Sequence, residues 1–336
     1  MREKVNGFVG VMAVAILCMV SGLCMVWGIA PVVLAVYVAA CAVCGRYMIT
    51  CIGCAAGVAA GSMGIAGLLH AYEYMIPGPV YSGVMVTEKY LVLLGLAMCL
   101  MKIVYSRNSR SYVRVIVVMS AAVLMGNIVV YADNMLMAAA YGVVEAVIFM
   151  CASVILKPGI GLLYTYICGD ASDVERDESW NISQGIVSLM ALAAVVLWVV
   201  PGEDIYGVNP AFMLALVLIL YAVYRTGAVY GCGMAAVAGS IVSVKLNDSR
   251  WLMWMLLVTL VMLIGRALTG RRKVSASLFY VLGCVLASVA DGTVLWNGSG
   301  REIAFYYINI AVPVVLFACI PAVSYTHLRA HETSQD

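Results

Sequence analysis

Residues 112–156 read YVRVIVVMSAAVLMGNIVVYADNMLMAAAYGVVEAVIFMCASVIL. Two apolar runs, 112–131 and 134–156, are separated by the short break Ala132-Asp133. Each matches the ~20 mostly apolar residues that a helix needs to cross a bilayer. Arg114, Asp133 and Glu145 are the only charged side chains in the whole stretch. Two membrane helices joined by a tight turn are the reading. The rest of the chain agrees. Of 336 residues, 65% are hydrophobic and 11% charged, with a mean hydropathy of +1.04. Soluble domains average about 45–50% apolar and about 25% charged residues, so a water-soluble enzyme is excluded. A disordered chain is excluded as well, because it needs low hydrophobicity and high charge.

Scanning outward for apolar runs bounded by charges or turn residues gives twelve candidate helices. They span 7–27, 31–44, 48–69, 90–105, 112–131, 134–156, 184–200, 210–224, 227–244, 251–268, 275–291 and 303–322. The runs at 31–44 and 210–224 are short for a full crossing, so the expected fold is an all-α polytopic membrane protein of ten to twelve transmembrane helices. Arg2 and Lys4 precede the first run as in a signal peptide, but its length and the spans that follow make it a membrane helix. Lysines and arginines favour the cytoplasmic side of a membrane protein. With the N-terminus inside and twelve crossings, fourteen of them fall inside. Four, Lys89, Lys245, Arg250 and Arg301, fall outside, which sets an N-in, C-in topology.

Four segments are expected: a first transmembrane half at 1–156, a cytoplasmic acidic linker at 157–183, a second transmembrane half at 184–322, and a tail at 323–336. The tail turns abruptly polar and holds His327 and His331. It reads as the conceptual translation of a sequencing adaptor, with the natural sequence continuing beyond Ala322. The two halves echo one another. Gly28-Ile-Ala-Pro31 and Gly207-Val-Asn-Pro210 lie at the same offset as Arg46 and Arg225, and a basic loop and an Ala-Asp pair recur in order. Six helices per half is an even number, so the expectation is two parallel six-helix repeats.

Few residues are equipped for chemistry. Cys41-x-x-Cys44 and Cys51-x-x-Cys54 resemble a four-thiolate zinc site, but the pairs are closely spaced and lie in apolar helices. Eleven of the twelve cysteines sit in apolar runs as small apolar residues, and only Cys168 falls in a polar connection. His70 is the only histidine ahead of the tail, so no histidine-based metal site or triad can be assembled. No catalytic, cofactor-binding or metal-binding residue is therefore assigned. Net charge is +2 and the longest basic stretch is Arg271 to Lys273, which gives no nucleic-acid footprint. Glycines such as Gly57 and Gly61 are spaced for close helix packing.

Glu145 is the most informative residue, because an ionisable group in mid-membrane is costly and by default functional. It reads either as a proton-relay carboxylate or as a polar contact between helices. Asn309, which cannot carry a proton, holds the corresponding place in the second half and favours the contact. Arg46 and Arg225 complete the set of candidate polar positions.

Asp177-Glu178-Ser-Trp-Asn before an apolar helix, the Gly-x-x-Pro turn, and Tyr224-Arg225-Thr226-Gly227 form a pattern. The basic Arg266 to Lys273 loop and Leu316-Phe317-x-x-x-Pro321 extend it. Across Asp177 to Pro321 the chain resembles the N-terminal membrane region of the stage II sporulation protein E family of spore-forming bacteria. Thr226 departs from the pattern, where a second glycine is expected. The resemblance implies a non-catalytic membrane anchor in the bacterial plasma membrane, followed in the full protein by a cytoplasmic metal-dependent serine phosphatase domain. Manganese or magnesium would belong to that missing domain, whose aspartates map to no position here. The implied partners are the lipid bilayer, further copies of the chain, and other membrane or division-septum proteins. The alternative is a small-solute transporter with Glu145 in its pathway.

Overall fold

The computed structural model describes residues 2–23, 31–62, 83–104, 109–132, 134–168, 182–200, 202, 207–270, 272–291 and 300–319. Among them the chain forms twelve helices and no strand. They are α1 (Arg2–Leu23), α2 (Pro31–Cys44), α3 (Tyr47–Ser62), α4 (Gly83–Ile103), α5 (Ser109–Val130) and α6 (Met135–Cys168). Then come α7 (Ile182–Val199), α8 (Pro210–Arg225), α9 (Ala228–Lys245), α10 (Arg250–Thr269), α11 (Lys273–Asp291) and α12 (Gly300–Cys319). Five of them, α5, α6, α9, α10 and α11, hold spans long and apolar enough to cross a membrane. Shorter apolar segments make up the remaining helices apart from α4. The tail at 323–336 lies outside the described residues.

Two compact units divide the chain, one up to Pro201 and one from Gly202. In the first, the short helix α2 is the centre. It packs on α1, α3, α4 and α6, and every residue from Val33 to Ala40 is fully buried. A helix apolar on all sides belongs in a core. α1 meets α3 at backbone distance. A Cβ on Gly57 would overlap the Met19 carbonyl oxygen, and one on Gly53 would lie 2.7 Å from the Ala15 carbonyl oxygen. Small residues permit such an approach, and in lipid van der Waals packing replaces the hydrophobic drive.

Three sequence expectations change. α4 begins at Gly83 rather than at 90, which brings Lys89 inside a helix. α6 does not end at 156 but runs through Pro158 to Cys168. The stretch from Lys157 to Cys168, expected in a polar linker, is therefore helical, and Cys168 is its last helical residue. The reason lies on α7. Proline interrupts the helical hydrogen-bond ladder, and the fully buried Ser188 hydroxyl accepts the Gly159 N–H at 2.6 Å. Neighbouring side chains that re-satisfy the backbone are what make a proline tolerable inside a membrane helix. Third, α7 packs on α6 and α1, so the division falls at Pro201 rather than at the acidic stretch, whose residues 169–181 are outside the described set. Ser188→Ala should leave the Gly159 N–H buried without its hydroxyl acceptor, at about 1–3 kcal/mol. Unfolding of the purified protein in detergent should show that loss, with Ser188→Thr keeping more of the stability.

In the second unit α8 is the central helix. It packs on α9, α10, α11 and α12 and buries Phe212, Leu216, Ile219, Leu220 and Val223. Asn209 caps it by accepting the Phe212 N–H at 2.9 Å, with Pro210 at the first helical position. Several neighbour pairs recur between the two units, although α8 also packs on α11. α8 meets α9, α10 and α12 as α2 meets α3, α4 and α6. The pairs α9–α10, α10–α11 and α11–α12 follow α3–α4, α4–α5 and α5–α6.

Candidate functional site

Three helices of the first unit bring four polar side chains to one place. Lys89 and Tyr90 come from the second turn of α4, Asn127 from the last turn of α5, and Glu145 from the third turn of α6. At 1.5 Å per residue, Asn127, Lys89 and Glu145 lie about 5, 9 and 15 Å inside the ends of their helices. The cluster thus sits near the end at which α4 starts, α5 finishes and α6 starts. Glu145 is fully buried, and the Lys89 side chain is 3% exposed.

The carboxylate is bound on both oxygens. Lys89 Nζ lies 2.9 Å from Glu145 Oε2, and Asn127 Nδ2 donates to the same oxygen. Tyr90 Oη donates to Oε1. Lys89 Nζ also donates to Asn127 Oδ1 at 3.2 Å and stands 4.7 Å from the Tyr90 ring centroid. Asn127 Nδ2 further donates to the Val123 carbonyl at 3.0 Å, which holds the amide against its own helix. Two glycines make room. A Cβ on Gly126 would press the Lys89 stem at 3.3 Å, and one on Gly142 would meet Asn127 Cβ at 3.4 Å. Tyr131 and Tyr141 stack at 5.1 Å on the α5–α6 pair close by.

No family model, curated protein or solved structure matches this chain. The chemistry must therefore be read from the residues. A lysine and a glutamate cancel each other's charge, and removal of one from a buried pair leaves an uncompensated ion. The arrangement ties α4, α5 and α6 together in one register.

Of the candidates read from sequence, Glu145 lies at this site and Arg46 does not. Arg46 is exposed between α2 and α3, where its carbonyl accepts from Thr50 Oγ1 at 2.8 Å. In the second unit Asn309 braces the turn before α8. Its Oδ1 accepts the Asn209 N–H at 2.9 Å, and its Nδ2 donates to the carbonyls of Phe305 and Gly207 at 3.0 and 3.1 Å. Arg225 is at the other end of α8, with its guanidinium 6.0 Å from the Tyr221 ring centroid. Asn309 and Glu145 therefore make different contacts, despite their matching places in the sequence pattern. The close cysteine pairs are held separately: Cys41 Sγ is 3.3 Å from Thr50 Oγ1, and Cys54 Sγ points to the Val33 carbonyl at 3.9 Å. Among the described residues no group of three or more His, Cys, Asp or Glu side chains is placed to share a metal ion.

Lys89, Tyr90 and Asn127 were not legible as site residues. Thr87-Glu88-Lys89 looks like the polar end of a loop, but adjacent helical residues point about 100° apart. Glu88 is exposed while Lys89 turns inward. The one available signal is an unpaired Glu145 that needs a cation in an otherwise apolar stretch. Asn309→Ala should cost about 1–3 kcal/mol, because the Asn209 N–H is left buried at the start of α8. Thermal unfolding of the purified protein in detergent measures it.

Proposed function

We propose that this chain is a membrane-anchoring helical domain whose buried polar residues fix the packing of its helices. The observation that carries the reading is the complete engagement of Glu145 by Lys89, Tyr90 and Asn127 of the same chain. A carboxylate bound on both oxygens serves as an interhelical clamp. We further propose ten to twelve crossings with both termini cytoplasmic, on the lysine and arginine distribution. The matching neighbour pairs support an internal duplication in which α2 and α8 are equivalent. α8 comes six helices after α2, so with every helix crossing the copies enter the bilayer in the same sense. α7 stands outside the duplicated core, which then comprises five helices per copy instead of six.

The resemblance over Asp177 to Pro321 supplies what is anchored: a cytoplasmic serine phosphatase of the sporulation type, in a bacterial plasma membrane. A protease-cleavable tag joined after Ala322 tests the anchor topology. Protection in intact cells and cleavage after permeabilisation is the expected result; cleavage in intact cells sinks it. The transporter alternative makes a separate demand on Glu145→Gln, which should abolish uptake of a coupled solute. Uptake unchanged by that substitution leaves the anchor standing.

A further inference from the structure

Helices α1 and α3 run side by side in the same direction. The Ala15 carbonyl abuts Gly53 and the Met19 carbonyl abuts Gly57, so the contacts advance together along both helices. Between these two backbone contacts lie Cys18 on α1 and Cys54 on α3, both fully buried. A Cβ on Gly53, one residue before Cys54, would come 3.4 Å from the Cys18 Cβ. The Cys54 carbonyl oxygen would lie 2.8 Å from a Cβ on Gly22, one turn further along α1. The Cys18 and Cys54 thiols share a hydrogen bond. Two sulfurs from different helices are therefore in contact.

The other thiols of these helices are placed differently. Cys41 on α2 is tied to Thr50 Oγ1 at 3.3 Å, and Cys51 is only partly buried. The surroundings also narrow what the pair can do. Val14, Val33 and Val58 are buried in the same apolar cluster. A free thiolate would bring a charge into that cluster, where it is costly. A disulfide is neutral, and its Cβ atoms stand about 3.5–4.5 Å apart. Helices in backbone contact already supply such an approach. The bridge would enclose the whole of α2, the central helix of the first unit.

We propose that Cys18 and Cys54 are a redox-sensitive lock, joined reversibly as a disulfide that ties α1 to α3. The oxidant is hydrogen peroxide, a small neutral molecule able to enter an apolar site. One sulfur attacks a peroxide oxygen, so that the O–O bond breaks and an S–O bond forms. The thiol proton leaves with the departing oxygen as water, and the product is a sulfenic acid. The second sulfur then displaces the hydroxyl, forming the S–S bond and releasing a second water. Two thiols are oxidised, one peroxide is reduced, and no charge is left in the site. Burial slows the thiols, so the lock answers sustained oxidant rather than a brief pulse.

The test uses the full chain, purified reduced in detergent and then exposed to hydrogen peroxide. Remaining thiols are blocked with N-ethylmaleimide after unfolding, and the digest is read by mass spectrometry. A peptide linking Cys18 to Cys54 is expected, lighter by two hydrogens than its two parts and lost on treatment with dithiothreitol. Oxidation should also raise the thermal midpoint by several degrees, because the bridge constrains the unfolded chain. In Cys18→Ala, peroxide should leave the midpoint where it was. Cys99→Ala, at an exposed position, should keep the full rise. Oxidation of Cys99 and Cys151 with Cys18 and Cys54 still open to N-ethylmaleimide overturns the proposal. So does a link from Cys18 to Cys41. The linked peptide is read on the unaltered chain, so a variant that fails to fold does not decide the matter. None of these outcomes depends on what the membrane domain anchors.

Discussion

Glu145→Leu with Lys89 retained should destabilise the protein by about 3–5 kcal/mol, the range for breaking a buried ion pair from one side. The lysine then has no carboxylate within a site where its side chain is only 3% exposed. Lys89→Met alone should be comparably damaging, because Glu145 keeps only the neutral donors Tyr90 and Asn127. The double variant Lys89→Met/Glu145→Leu should recover most of the loss, since apolar replacements of a buried pair are often neutral or stabilising. A double-mutant cycle on unfolding in mixed micelles reads the coupling directly. Additive losses in the double variant would show that the two side chains do not depend on one another.

The second large effect is expected at Gly57. A methyl group there would overlap the Met19 carbonyl oxygen of α1, and backbone cannot swing aside as a side chain can. Gly57→Ala should therefore force α1 from α3 and cost about 1–3 kcal/mol or more, as overpacking does. Gly95→Ala is the control, because nothing lies within 4 Å of its Cβ. There the better helix propensity of alanine should leave stability unchanged or raise it by up to about 1 kcal/mol. Differential unfolding of the two variants checks the pair. Equal behaviour would mean that α1 and α3 are not in backbone contact.

The all-helical membrane architecture was legible because hydropathy runs report one physical constraint: a spanning backbone must satisfy its own hydrogen bonds. Helix ends were less legible. Pro158 reads as a stop, and only Ser188, thirty residues further on, explains why α6 continues. Lys89 reads as a loop cation, because local polarity cannot reveal that Asn127 and Glu145 wait on two other helices. The runs 31–44 and 210–224 read as short for a full crossing. Their central burial within each unit gives the reason for their apolar character. Asn309 was found for its polarity alone. Its contact with the turn before α8 depends on a backbone approach that no periodicity encodes.

The anchor reading is tested most directly by the natural DNA sequence beyond the codon for Ala322. An open frame that encodes a soluble domain with spaced aspartates is the predicted result. A stop codon within a few residues would contradict it, and would leave a helical membrane protein that the Glu145 clamp still holds in register.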